Sequence, residues 1–157
     1  MKLKHYSMAA AVITAGAILL GAAPAHAAGK LCKVHLTAND LMKYSTKHIT
    51  VGPGCSRIEV SLTNVGKLPK NVMGHDWVLT KKGDLTAVAN AGLAAGLADN
   101  YQKPGDPRII ASTTLAGGGQ TVSVTFPASK LTPAGAYVFF CTFPGHDALM
   151  RGTFTYR

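Results

Sequence analysis

Alternation of apolar and polar residues constrains the fold of this chain most. From Arg57 to Asn64, the side chains of Ile58, Val60 and Leu62 would share one face of an extended segment, with polar residues on the other face. The segment from Thr121 to Phe126 repeats the pattern. A period of two is typical of β-strands that bury one face, so the chain is expected to fold from strands rather than helices.

Two segments are apolar throughout, Trp77–Leu79 and Tyr137–Cys141. Such segments are typical of central strands buried on both sides. Glycine and proline separate the strand patterns, as in Gly52-Pro53-Gly54 and Pro133-Ala134-Gly135. Short strands between turns predict an all-β sandwich or barrel of short antiparallel strands.

One segment, between Asp84 and Leu97, departs from this pattern of strands. Apolar residues recur there at helical spacing: Leu85, Val88, Ala89, Leu93 and Leu97. Asp84 is a candidate N-cap, whereas Gly92 and Gly96 weaken the helix. We expect one short helix packed outside the sheets.

The first 27 residues have the pattern of a secretory signal peptide. Lys2 and Lys4 precede a short apolar run, and Ala25-His26-Ala27 resembles a cleavage site. Residues 28–157 would then form the mature domain. We expect no membrane span in the mature form, since no second apolar run follows.

Charge excludes one class of function. The formal net charge is +9, and removal of Lys2 and Lys4 with the signal would leave +7. The basic residues are scattered, in runs no longer than two, and aromatic residues do not alternate with them. This pattern argues for a solvated surface and against nucleic-acid binding.

The three cysteines are an odd number for an exported protein. Two can pair and one is left over, and the leftover thiol is expected to have a task. A bond between Cys32 and Cys55 would close a loop of about two dozen residues and stabilise the fold by roughly 3 kcal/mol. Cys141 lies in a different setting, at the end of an apolar run.

That setting supplies several metal donors. His146 and Met150 follow Cys141 after a Pro-Gly turn, so one short loop would present a thiolate, an imidazole and a thioether. His75, just before the other apolar segment, could add a second imidazole, which would complete the donor set of a blue-copper centre. A Cys–His hydrolase would need an exposed cysteine and an orienting Asn or Asp, and a zinc site would favour more thiolates or histidines and no Met. His35 and His48 fall on polar strand positions and are expected to face solvent.

Two segments carry a family resemblance, Leu68–His75 and Phe140–His146. Both are similar to the copper-binding segments of azurins, which are type 1 blue copper proteins of the cupredoxin family. The spacing from Cys141 through His146 to Met150 is the azurin spacing. The resemblance extends from Cys32 to Tyr156.

The resemblance implies a cupredoxin-like Greek-key β-sandwich or barrel of about eight strands with one short external helix. It also implies a disulfide between Cys32 and Cys55. One copper ion, alternating between Cu(I) and Cu(II), would bind three strong ligands and two weak axial ones. The strong ligands would be His75, Cys141 and His146, and the weak ones Met150 and the carbonyl of Gly74.

The resemblance further implies a periplasmic carrier of single electrons, and no enzyme. An apolar patch around His146 would dock redox partners such as c-type cytochromes or copper-containing reductases. This apolar patch would consist of Met42, Leu68, Val72, Met73, Leu93, Ala148 and Leu149. A copper-binding chaperone or buffer is the alternative, although such proteins expose Met- or His-rich sites.

Two aspartates depart from the azurin pattern. Asp76 follows the first ligand histidine, where azurins usually have Asn, and Asp147 follows the second, where they often have Ser. An ionised Asp can only accept hydrogen bonds, so a link between the two copper-binding segments would weaken unless a proton were retained. We expect both carboxyl groups near the metal, with a proton shared between them if they are close.

Overall fold

The computed structural model describes residues 29–157. The predicted signal peptide, residues 1–27, lies outside the described residues. Nine strands and two α-helices follow in chain order: β1 Leu31–Asn39, β2 Lys43–Tyr44, β3 His48–Val51, β4 Arg57–Asn64, α1 Lys70–Met73, β5 Val78–Lys81, α2 Leu85–Ala95, β6 Ala111–Ser112, β7 Thr121–Pro127, β8 Tyr137–Phe140 and β9 Arg151–Tyr156. Short 3₁₀ turns at Lys82–Asp84, Leu97–Asp99, Ala128–Lys130 and His146–Ala148 complete the list.

The strands form two sheets, which confirms the predicted β-sandwich. One sheet has the order β2-β1-β4-β7 and the other the order β3-β9-β8-β5-β6. The expectation of antiparallel strands was only partly right, because β1 pairs with β4 and β3 pairs with β9 in parallel. Alternating burial has the same period in both kinds of pairing, so the sequence pattern does not fix strand direction.

The core lies between the sheets. Ile58, Val60 and Leu62 of β4 are fully buried, as their alternation predicted. Trp77, immediately before β5, stacks on Phe126 of one sheet and Phe139 of the other, with ring centroids 6.3 and 6.2 Å apart. Burying each such apolar side chain contributes about 1.5–3 kcal/mol, so these contacts hold the two sheets together.

The predicted external helix is α2, but its predicted N-cap was wrong. Asp84 precedes α2 but makes no side-chain capping hydrogen bond, because it already has helical dihedrals in the preceding 3₁₀ turn. Leu93, a member of the apolar patch, is exposed, and Gly92 is buried. A Cβ on Gly92 would collide with the carbonyl oxygen of Tyr101, so glycine allows the helix to pack closely there.

Cys32 on β1 and Cys55 before β4 form a disulfide, with Cα atoms 5.6 Å apart. It joins the start of β1 to the start of β4, where the two parallel strands lie in register. Cys141 is the free cysteine of the described residues and is buried. Within residues 29–157, no helix has the length and apolar character needed to cross a membrane.

Candidate metal centre

Three donors converge where β5 and β8 lie side by side. His75 follows α1 and forms a two-way backbone bridge with Ala116, through bonds of 3.0 and 2.8 Å. Cys141 directly follows β8, which pairs with β5 on one side. His146 begins the 3₁₀ turn of the following loop. Backbone pairing therefore sets the positions of the side chains that the sequence marked as ligands.

The donor atoms are close and buried. The candidate ligand atoms of His75, Cys141 and His146 all lie within 4.8 Å of one another. The Sγ of Cys141 is 3.6 Å from Nδ1 of His146, and the two imidazole centroids are 5.1 Å apart. His146 is the most accessible of the three, with 4% of its surface exposed.

The hydrogen bond made by His75 fixes its tautomer. Its Nε2 lies 2.9 Å from the carbonyl oxygen of Asn39, which can only accept, so Nε2 carries the proton. Nδ1 therefore has a free lone pair, and it is buried without a hydrogen-bond partner. An unpaired buried polar atom costs about 1–3 kcal/mol. A metal ion bound among the three donors would satisfy it, so the residues fit the expected cofactor.

Burial favours the neutral form of all three side chains, which suits the two imidazoles as ligands but not the thiol. Burial lowers the pKa of both imidazoles, that of His146 to about 4 with help from the nearby His75, so the histidines are neutral at pH 7. Burial also raises the pKa of the Cys141 thiol well above its ordinary value. A thiolate here would need a bound cation to stabilise it, since a metal ion displaces the proton of a thiol ligand.

Met150 and Gly74 both contact the donor residues through their backbone. Met150 is fully buried, its N–H donates to the carbonyl of His146 (2.7 Å), and its carbonyl accepts from Cys141 N–H (3.0 Å). These two bonds close the loop from Cys141 to Met150. The carbonyl oxygen of Gly74 lies 3.9 Å from Cys141 Sγ. A Cβ on Gly74 would collide with the carbonyl oxygen of Lys70, so a larger residue would displace this backbone.

Asp76 links the two segments, and the sequence alone did not reveal which residues it bonds to. Its buried carboxylate accepts hydrogen bonds from the N–H of Thr142 (2.8 Å) and from the Thr142 hydroxyl. Gln102 Nε2 donates to the same carboxylate (2.8 Å) and to the carbonyl of Thr113 (2.8 Å). Burial raises the pKa of Asp76, while the bonds from Thr142 and Gln102 oppose the rise. The expected weakening of this link stays a prediction, since the structure shows which groups donate to Asp76 but not how strongly the link holds.

The expected contact between the carboxyl groups of Asp76 and Asp147 is not made. Asp147 is partly exposed and forms no hydrogen bond with Asp76 among the described residues. The hydrogen-bond partners of the Asp76 carboxylate are Thr142 and Gln102, and neither is acidic. The hypothesis of a proton shared by the two aspartates is therefore wrong.

The apolar patch is largely exposed. Leu149 is 58% exposed and Val72 52%, Leu68, Leu93 and Ala148 are also exposed, and Met42 and Met73 are partly buried. The sequence reading missed Leu41, which is 72% exposed and lines a groove with Met42 and Leu149. Its position directly after Asn39-Asp40 was the only available signal. His35 and His48 are exposed, as expected, and lie outside the donor cluster.

Comparison with known proteins gives consistent results. Residues 30–157 match the model of copper binding proteins of the plastocyanin/azurin family. The chain is 50% identical over 121 residues to an azurin of Pseudomonas chlororaphis, covering 77% of this chain and 94% of that one. It is 52% identical over 126 residues to an azurin of Pseudomonas denitrificans, covering 80% and 98%. Among solved structures, the azurin Az-iso2 of Methylomonas sp. strain J matches with a TM-score of 0.78 and 43% identity, covering 80% of this chain and 98% of that one.

Proposed function

Because the chain belongs to the plastocyanin/azurin family of copper-binding proteins, we propose that it binds one type 1 copper ion and carries single electrons between redox proteins. His75, Cys141 and His146 would be the strong ligands, and Met150 and the carbonyl of Gly74 the weaker ones. The buried Cys–His–His cluster, with the unpaired Nδ1 of His75, is the observation that carries the proposal. When bound, copper supplies a one-electron couple.

The residues around the cluster favour a carrier over an enzyme or a copper chaperone. The backbone bridge of His75 and the closed loop from Cys141 to Met150 would keep the ligands in place in both oxidation states. All three donors are buried, so neither a substrate nor a second copper-binding protein can reach them directly. A chaperone would need more exposed ligands to release its metal. Rapid electron self-exchange with slow copper exchange would support the carrier, and the reverse would favour the chaperone.

We further propose export to the periplasm, where c-type cytochromes or copper-containing reductases would be the partners. The signal-like residues 1–27 and the Cys32–Cys55 disulfide support this location, since disulfides persist in oxidising compartments. The exposed side chains of the apolar patch, of which Ala148 and Leu149 follow His146 closely in sequence, support electron transfer through that surface. N-terminal sequencing of the periplasmic fraction would test both the location and the mature start at residue 28.

The deciding measurement is the visible spectrum of the oxidised, copper-loaded protein. An intense blue colour is expected from charge transfer between the Cys141 sulfur and copper, and Cys141→Ser should abolish it. The double variant Cys32→Ser, Cys55→Ser is the matched control, because it removes the other two sulfurs and should stay blue. A copper-loaded parent without the colour, or a blue Cys141→Ser variant, would contradict the proposal.

A further inference from the structure

A groove beside the candidate metal centre combines exposed apolar and basic side chains. Its apolar part includes Leu41 and Leu149, which are 72% and 58% exposed. Lys43, Lys47 and Arg151 line the remainder, and all three are exposed. One border of the apolar patch is therefore cationic.

The positive charge continues beyond this groove. A second groove shares Lys47 and Arg151 with the first and adds Lys82. No Asp or Glu lines either groove in the part of the chain that the structure describes. The ion pairs found within residues 29–157 are Lys33–Glu59 and Arg108–Asp106, so these four cations remain without a carboxylate partner. We name Lys43, Lys47, Lys82 and Arg151 the basic flank.

The basic flank lies close to the candidate ligands. Leu149 and Arg151, which both line the first groove, are the neighbours of Met150 in sequence. Lys43 pairs across the sheet with Asn39, whose carbonyl accepts the hydrogen bond from His75. A partner that docks on the apolar patch would therefore bring its own rim against these cations. Charges at such a rim act mainly on the rate and orientation of association.

Building on the proposed function, we propose that the basic flank selects a redox protein whose apolar contact surface has a cluster of carboxylates along one side. Leu41, Met42 and Leu149 would receive the apolar centre, and the four cations would face the carboxylates. A second copy of this chain is a poor occupant, because contact through the same surface would bring two basic flanks into one interface. Like charges in such an interface repel.

Raising the salt concentration should have opposite effects on the rate of electron transfer to an acidic partner and on the rate of electron transfer between two copies of this chain. Attraction between the basic flank and an acidic partner weakens as ionic strength rises, so that electron transfer slows. Repulsion between two copies weakens as well, so that electron self-exchange accelerates. The copper-loaded protein should therefore show opposite salt dependences in the two reactions.

The experiment uses stopped-flow electron transfer to one acidic and one basic c-type cytochrome, with parent, Lys43→Glu, Lys47→Glu and Arg57→Glu proteins. Arg57 is the matched control, because it is exposed, makes no ion pair among the described residues and pairs with Leu31. Leu31 lies at the opposite end of β1 from Asn39, about 25 Å away along the strand. The Arg57→Glu substitution alters the net charge by the same amount as each lysine variant.

At low salt, each lysine variant should react roughly 3–10-fold more slowly with the acidic cytochrome and faster with the basic one, while Arg57→Glu should stay near the parent rate. Equal effects of all three substitutions would show that net charge alone matters and would overturn the proposal. Unchanged rates in both lysine variants would do the same. Salt-sensitive binding to anionic phospholipid vesicles that Lys47→Glu abolishes, without a change in the cytochrome rates, would assign the basic flank to a membrane surface instead. A parent that exchanges electrons with neither cytochrome nor itself would overturn the proposed function as well.

Discussion

The carboxylate of Asp76 accepts hydrogen bonds from both the backbone N–H and the hydroxyl of Thr142, the residue that follows Cys141. This pair joins the segment that carries His75 to the loop that carries Cys141, His146 and Met150. Gln102 completes the arrangement, because its amide group donates to Asp76 and to the Thr113 carbonyl at once. Each carboxylate oxygen thus faces donors, which is the environment an ionised Asp requires.

Asp76→Asn should destabilise the protein by about 1–3 kcal/mol, because its NH₂ group would face the NH₂ group of Gln102. Adding Gln102→Leu removes that second donor, so the double variant should be more stable than the sum of the single effects predicts. Urea unfolding of the parent, Asp76→Asn, Gln102→Leu and the double variant measures the coupling free energy between Asp76 and Gln102. Asp99→Asn, at an exposed position, is the matched control and should change stability by less than about 0.5 kcal/mol. Strictly additive effects would mean that Gln102 and Asp76 act independently.

Leu149→Lys and Val72→Lys should slow electron self-exchange of the copper-loaded protein by about tenfold or more, while the visible spectrum stays the same. Both side chains are exposed in the apolar patch, and a charge there must lose water when two surfaces meet. A cost of about 1.4 kcal/mol already corresponds to tenfold. Leu31→Lys is the control, since Leu31 is exposed at the far end of β1. If it slowed exchange equally, electrons would not leave through the patch.

Gly92→Ala should lower stability by about 1–3 kcal/mol, even though alanine is the better helix former by about 1 kcal/mol. The added Cβ would meet the carbonyl oxygen of Tyr101, and backbone cannot move aside as a flexible side chain can. Gly83→Ala places a methyl group where nothing lies within 4 Å and should be nearly neutral. Thermal unfolding of both variants decides the point. A stabilised Gly92→Ala protein would show that α2 shifts freely.

The Asp106–Arg108 pair should make stability depend on pH in acid. The guanidinium of Arg108 donates to both carboxylate oxygens, at 2.8 and 2.6 Å, and holds the pKa of Asp106 at about 2, below its ordinary value of 3.8. The unfolded chain therefore takes up the proton first, and the contribution to stability is lost as pH falls from 3.8 toward about 2.

Asp106→Asn should be less stable than the parent at neutral pH, and the difference in melting temperature should shrink across that acid range. Glu59→Gln, which alters the exposed pair with Lys33, should show little difference at any pH. If the difference in melting temperature between the parent and Asp106→Asn stayed constant down to pH 2, the carboxylate would act through its shape and not its charge.

The features that could be predicted from the sequence are local ones. Burial along β4 follows from the alternation of Ile58, Val60 and Leu62, and the loop from Cys141 to Met150 carries three donors within ten residues. Pairing direction was not predictable, since β1 and β4 would bury the same residues in either direction. The four-residue helix α1, before His75, was also missed, because it is too short to show a helical period.

The contacts that orient the donors could not be predicted for a related reason. The hydrogen bond from His75 to Asn39 joins residues 36 positions apart, and that from Gln102 to Asp76 spans 26 positions. Neither bond depends on a pattern within one element. Both arise only when the two sheets and the loop before β6 come together, and a backbone carbonyl such as that of Asn39 leaves no trace in residue type.

The parallel pairing of β3 with β9 has a consequence for how the protein is made. His48 forms a hydrogen bond with Thr153 across a separation of 105 positions. Strand β3, the first of its sheet in the sequence, therefore has no partner until β9, the last, is present. Contacts so distant in sequence form slowly, because a long loop must close before they contribute stability. Cys141 follows β8, which lies between β9 and β5, so its position beside His75 also depends on strands from the C-terminal part of the chain. We therefore expect the proposed metal site to be complete only after the C-terminal strands have been synthesised, because Cys141, His146 and Met150 all lie close to β9 in the sequence.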